Sequence, residues 1–143
     1  MMAVDVGLYA VLSTDVGTAM GTVTGSLANL GASGVYRIYA PQAATLPFVL
    51  FNEQSGVDSW TFADRERKSL LYQVQAIGAG HSGSAVSAMN NRLDALLNDK
   101  PLSLTGWTCK RIRRESDIEY GEEANGVIYH HVGGLFRIDV EPA

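Results

Sequence analysis

The chain has 143 residues and a mass of 15.4 kDa, enough for one ordinary domain with a buried core and too short for two. Hydrophobic residues make up 46% and charged residues 18%, a balance that excludes disorder as the organising state. With 11 Lys and Arg against 15 Asp and Glu, the net charge of -4 supplies no field for duplex nucleic acid or an anionic membrane.

Near the start, Val4, Leu8, Val11 and Leu12 recur at helical spacing and predict a helix over about residues 3–14. From Thr14 to Gly34 the chain is rich in Gly, Ser and Thr, and frayed helix and loop both fit. Two runs of strand type follow, Val35–Ala40 and Phe48–Glu53. Pro41 and Pro47 lie between them, and a hairpin is the expected connection. A third strand, Lys68–Ile77, places Leu70, Tyr72, Val74 and Ala76 on one side and Gln73 and Gln75 opposite, as an antiparallel strand with one wetter face would. Between these strands, Gln54–Arg67 reads as a polar hairpin tip that carries Trp60 and Phe62.

Ser82 and Ser84 are suited to cap the next helix, whose apolar stripe is Val86, Met89, Leu93, Leu96 and Leu97. Asn98–Pro101 stops it, because proline cannot continue a helix. Two strands remain, Trp107–Arg114 and Val127–Val140, the second with Ile128, Val132, Phe136, Ile138 and Val140 on one parity. The expectation is a single α+β domain over residues 1–143. Its N-terminal helical region is 1–34; residues 35–143 form the main helix and a mostly antiparallel sheet of about five strands, with helices on one face.

Several segments imitate catalytic motifs. Gly78–Gly83 reads G-x-G-x-x-G between a strand and a helix, the local setting of a dinucleotide site. The nearest acid for a ribose is Asp99, in the turn after the helix, and two further strands cannot complete a doubly wound sheet. Gly80–Ser84 nearly spells a nucleophile elbow, and Asp117 with His130 or His131 follows in triad order, but a hydrolase of that type needs a longer alternating sheet. A nucleotide-binding or hydrolytic enzyme using Gly78–Ser84 is therefore the alternative to a non-enzymatic role, and nucleotide titration separates the two. His130 and His131 are adjacent on a strand and point to opposite faces, so they cannot chelate one metal. His130 is expected beside Ile128 and Val132, and Gly133–Gly134 offers a place for a bulge. The single Cys109 excludes an internal disulfide. No metal or cofactor is expected. No apolar run has the about 18 residues of a membrane helix, and Met1–Leu12 carries Asp5 and no basic stretch, so a soluble chain without a secretory address is expected.

The remaining candidates are interface residues. Lys110, Arg111, Arg113 and Arg114 form the one basic cluster, with Arg111 and Arg113 expected on one face and Lys110 and Arg114 on the other with Ile112. Asp117, Glu119, Glu122 and Glu123 follow in an expected loop. Opposed charge blocks of this kind suit a heterologous ring contact or an ordinary hairpin with local ion pairs. Low charge and 15 glycines suggest surface committed to neighbouring subunits.

Three segments carry a resemblance: Pro47-Phe48-Val49 opening a strand; Leu71–Ala76 running through small residues into the helix that ends Leu93-Asp94-Ala95-Leu96-Leu97; and the closing strand from Tyr129-His130 to Phe136-Arg137-Ile138. In their spacing the chain resembles the tail-completion, or tail-terminator, proteins of long-tailed bacteriophages with non-contractile tails. The Thr14–Gly34 segment is longer than that pattern. The resemblance implies a virion protein of the neck or tail, assembled in the host cytoplasm as a hexameric ring at the head-proximal end of the tail tube. Its partners would be copies of itself, the major tail tube protein and the head-completion or connector protein, with a lumen through which DNA could pass without sequence-specific binding. It implies no catalytic residue, no cofactor and no membrane. On that expectation Trp60 and Phe62 are contact anchors, and Lys110–Arg114 with Asp117–Glu123 serve subunit pairing or the lumen. Another neck or minor tail component meets the same physical demands.

Overall fold

Val4, Leu8 and Leu12 recur every fourth residue and are fully buried, which seats helix α1 (Met2–Val16) on the sheet. The computed structural model describes residues 1–80 and 83–143, without the side chains of 83 and 84, so the caps expected at Ser82 and Ser84 lie outside the described residues. After α1 the chain makes one 3-10 turn, Thr18–Met20, and then a series of turns. Gly25 and Gly31 adopt φ of 82° and 100°, a left-handed backbone that ends helical winding. Leu27 anchors this segment in the core, and its amide donates to the Asp15 carboxylate at 2.8 Å.

The architecture is α+β. Five strands, β1 (Val35–Arg37), β2 (Phe48–Trp60), β3 (Arg65–Ala79), β4 (Trp107–Ala124) and β5 (Val127–Pro142), form one sheet in the order β1-β2-β3-β5-β4. All neighbours are antiparallel except β1 and β2, which run parallel, so the hairpin expected there does not form. Ile38, at φ 70°, turns the chain out of β1. Residues 38–47 then return to start β2 in the same direction, and Pro41 and Leu46 line a cavity with Phe48 and Ile77 on the way. The third strand extends past both expected ends, and β2 runs on to Trp60. The expected polar tip Gln54–Arg67 is mostly a β-ribbon closed by residues 61–64.

Leu70, Tyr72, Val74 and Ala76 are fully buried on the face of β3 that receives the helices. Helix α2 (Gly83–Leu97) adds Val86, Met89, Leu93 and Leu97, all fully buried, with Leu96 at the margin. Val132, Phe136, Ile138 and Val140 of β5 complete the cluster, as their parity predicts. Ile128 does not join it: β5 has outrun β3 there, and the residue is exposed.

The largest departure lies in β4. Asp117–Glu123 is not a loop but strand, paired residue by residue with Gly134–Ile128 of β5. Nor does the Gly133–Gly134 pair carry a bulge: both glycines hold regular register, opposite Gln75 and Val74. Register shifts fall instead in β4, between Cys109 and Arg111 and between Arg114 and Ser116. The glycines answer a different demand. A Cβ at Gly133 would overlap the Val74 carbonyl oxygen and come within 2.5 Å of Gln75 Cα, and one at Gly134 would lie 2.5 Å from Arg114 Nε.

Candidate interaction interfaces

The bulge at Lys110 changes the expected facing of the basic cluster. Lys110 does not share the side of buried Ile112; it pairs with Glu141 at 2.8 Å, next but one along β5 from Asp139, the partner of Arg111 at 3.1 Å. Arg113 meets Asp99 at 3.5 Å with both side chains largely exposed. Arg114 turns inward. Its guanidinium donates to Asn90 Oδ1 and the Gly133 carbonyl, both at 2.8 Å, meets Asp117 at 2.7 Å, and lies 6.0 Å from the Phe136 ring centre. Of the acids, Asp117 closes on Arg114 and Glu122 reaches His131 at 3.5 Å, while Glu119 and Glu123 stand exposed on the edge strand without an ion pair among the described residues. The two charge blocks are thus joined within the chain at Arg114–Asp117 alone.

His130 and His131 fall on opposite faces, as strand alternation requires. His130 Nε2 lies 2.7 Å from the Gly80 carbonyl. His131 is the more buried of the two, stacked on Tyr120 with ring centres 4.3 Å apart, and its Nδ1 has no partner among the described residues. Burial holds its pKa below the ordinary histidine value, with Glu122 opposing that shift.

Of the glycine-rich segment, Gly78 and Ala79 are the last residues of β3, which is antiparallel to both its neighbours, whereas a dinucleotide site needs a parallel βαβ unit. Gly80 adopts φ 65° and its amide bonds Ile128 O, while His81 and Ser82 lie outside the described residues. Among the described residues no three His, Cys, Asp or Glu side chains gather to hold a metal, and no helix is long and apolar enough to cross a membrane. Cys109 is buried, which pushes its thiol pKa up.

The aromatic pair Trp60 and Phe62 is exposed at the end of the β2–β3 ribbon. β5 accompanies β3 only from Lys68 onward, so Arg65–Arg67 pair with β2 alone and the tip stands clear of the sheet. Thr61 and Asp64 close the turn through Thr61 N to Asp64 O at 2.8 Å and Asp64 N to Thr61 Oγ1 at 3.2 Å. Trp60 is 62% exposed beneath the Arg65 guanidinium, 4.9 Å from its ring centre, and Phe62 is fully exposed.

A second surface was not singled out from the sequence. Met2, Val6 and Tyr9 stand exposed on the side of α1 away from Leu8, and they border a groove of about 410 Å³ floored by Phe51 with Asp5 and Arg37 at its edge. Asp5 is buried and accepts the Tyr72 hydroxyl at 2.7 Å and Arg37 Nε at 3.1 Å. Burial and that carboxylate together drive the Tyr72 pKa far above the tyrosine range. Apolar residues on both sides of α1 are visible in the sequence, but which side the sheet leaves uncovered is not.

No protein-family model and no curated protein matches the chain. Among solved structures, a chain of the virion of a native gene transfer agent particle shares its fold at a TM-score of 0.72 and 16% identity, covering 99% of each chain. A second solved chain, which carries only a sequence identifier as its name, aligns at a TM-score of 0.56 and 13% identity over 99% of this chain and 94% of the other. At these identities the likeness is one of fold.

Proposed function

We propose that the protein is a structural component of a phage-like virion, a tail terminator that forms a hexameric ring on the head-proximal end of the tail tube, stops tube growth and joins tail to head connector. The observation that carries the reading is the end-to-end likeness to a chain of a gene transfer agent virion, with no large insertion left over in either chain. The surface features agree with it. An α+β body exposes two separate apolar patches, at Trp60–Phe62 and at Met2–Tyr9, and a long charged edge strand, as a part built for assembly would.

A closed ring ends growth because its tube-facing side pairs with the last tail ring while its other side lacks a polymerising surface. In this reading Trp60 and Phe62 anchor contacts, and Lys110, Arg111, Arg113, Glu119, Glu122 and Glu123 serve subunit pairing or line the lumen. Arg114 and Asp117 act mainly to hold β4 on α2. The ring binds copies of itself, the major tail tube protein and the head-completion protein, passes DNA without reading its sequence, and needs neither cofactor nor catalysis.

Silencing this gene alone and imaging lysates by negative-stain electron microscopy tests the role. DNA-filled heads beside unattached tails of uncontrolled length are expected. Intact particles, or detached tails of normal length, overturn the terminator reading, the second outcome in favour of another neck component.

A further inference from the structure

We infer that the β2–β3 tip of one copy docks into the α1 groove of a second copy, with Phe62 as the inserted side chain. The inference rests on the proposed ring for the number of copies, but the pairing itself concerns only two surfaces of this chain.

Three observations carry it. The first is geometric. The groove is floored by Phe51, and Trp60 lies nine residues further along the same strand, roughly 30 Å away at strand rise. A hydrogen-bonded ribbon cannot fold back over that distance, so arm and groove cannot meet within one chain. Pairing of these two surfaces therefore has to be between copies, and such a contact is head-to-tail, which closes into a ring when the rotation allows.

The second is chemical fit. The groove wall is apolar at Met2, Val6 and Tyr9, and the tip presents an aromatic ring with no cover of its own. Asp64, two residues from Phe62, has no ion pair among the described residues, and Arg37 at the groove's edge is 54% exposed although it contacts Asp5. Asp64 is thus the acid of the tip with a cation to meet where the ring enters, whereas Glu66 stands between Arg65 and Arg67 of the arm itself.

The third is preorganisation and area. The Thr61–Asp64 hydrogen bonds hold the tip in one shape before any contact, which reduces the ordering cost of docking. Two aromatic side chains bury about 300–500 Å², less than the about 800 Å² per partner of a standard interface. Ile38 and Tyr39, exposed directly after Arg37, extend the apolar surface beside the groove.

The test uses two variants of the full chain with one added cysteine each, Ala63→Cys beside the intact Phe62 and Val6→Cys, mixed under mild oxidation, with Ser87→Cys on the exposed side of α2 as the control partner. Buried Cys109 stays in place in all of them. Ala63→Cys should couple to Val6→Cys about tenfold faster than to Ser87→Cys, because docking raises the local concentration. Phe62→Ala, which removes an exposed ring and should keep the native circular dichroism, should abolish self-association in sedimentation. Equal coupling to both partners overturns the inference, as does absence of coupling from a chain that stays monomeric. Rings that persist in Phe62→Ala overturn the arm and groove contact while leaving the ring itself standing. Coupling of Ala63→Cys to a different protein in assembled particles assigns the arm to that partner and overturns the inference too.

Discussion

Arg92 on α2 donates from Nη2 and Nε to the two carboxylate oxygens of Asp15 at the end of α1, at 2.7 and 3.0 Å. Asp15 is buried and also takes the Leu27 amide, so one carboxylate joins both helices to the turn-rich segment after α1. Burial acts to raise the Asp15 pKa, but Arg92 and the Leu27 amide outweigh it and hold the group below its ordinary value. Arg92→Ala leaves a buried carboxylate without its cation and should cost about 3 kcal/mol in chemical denaturation. Because the folded pKa is depressed, the contribution is present in full above the unfolded value of about 3.9 and is lost as pH falls through the folded value. Acid unfolding of Arg92→Ala should therefore begin at higher pH than that of the parent.

Gly133 and Gly134 should differ when changed to alanine. At Gly133 the new methyl group meets the backbone of β3 at Val74 and Gln75, which cannot move without breaking the centre of the sheet. A loss of about 3 kcal/mol or more is expected. At Gly134 the nearest atom is Arg114 Nε, in a side chain held by Asn90, the Gly133 carbonyl and Asp117, with the Ser116 carbonyl oxygen at 3.0 Å, so a smaller loss of about 2 kcal/mol is expected together with a displaced Arg114. Thermal melts of the two variants side by side check the order.

Stability should fall on mild acidification through His131. Its folded pKa lies below the unfolded value of about 6.5. The unfolded chain then binds the extra proton. Stability is unaffected above that value and declines as pH drops from it toward the folded pKa. His131→Phe keeps a ring against Tyr120 and removes both the titration and the unpartnered Nδ1. Its melting temperature should change less between pH 7.5 and about 5.5 than that of the parent; parallel curves would assign the decline to another group.

Charge reversal on β4 should separate stability from assembly. Arg111→Glu places an acid against buried Asp139, 3.1 Å from the present guanidinium, and should lower the melting temperature. Arg113→Glu breaks only an exposed pair with Asp99 and should shift stability by no more than about 0.5 kcal/mol. In the proposed role Arg113→Glu alone should reduce the joining of heads to tails, scored as infectious or gene-transferring particles per DNA-filled head. Full joining by a folded Arg113→Glu protein would remove that residue from the contact.

Much of the fold was legible because it rests on local periodicity. The stripes Val4-Leu8-Leu12 and Val86-Met89-Leu93-Leu97, and the alternation of Leu70 to Ala76, are fully buried as read, since one side of a helix or strand must meet the core. The polar ribbon on either side of Trp60 and the acidic half of β4 were not legible as strand. Their residues lack apolar alternation, and they are extended because each has a partner strand to pair with, which is a property of the sheet and not of the segment.

The candidate surfaces divide the same way. Exposed aromatics at Trp60 and Phe62 stood out in a hydrophilic stretch, and both are exposed. The groove on α1 was hidden, because whether Val6 and Tyr9 face solvent or a second layer depends on where the sheet ends. The facing of Lys110 turned on a bulge, a one-residue shift that no composition announces.

By itself, then, the amino-acid sequence determined the α+β class, the two packing helices and which residues enter the core, since these follow from side-chain periodicity and water. Only the tertiary structure decided the parallel pairing of β1 with β2, the lengths of β2 and β4 and the separation of Phe62 from the groove at Phe51. These depend on backbone hydrogen bonds between segments distant in the chain, whose partners no local pattern encodes.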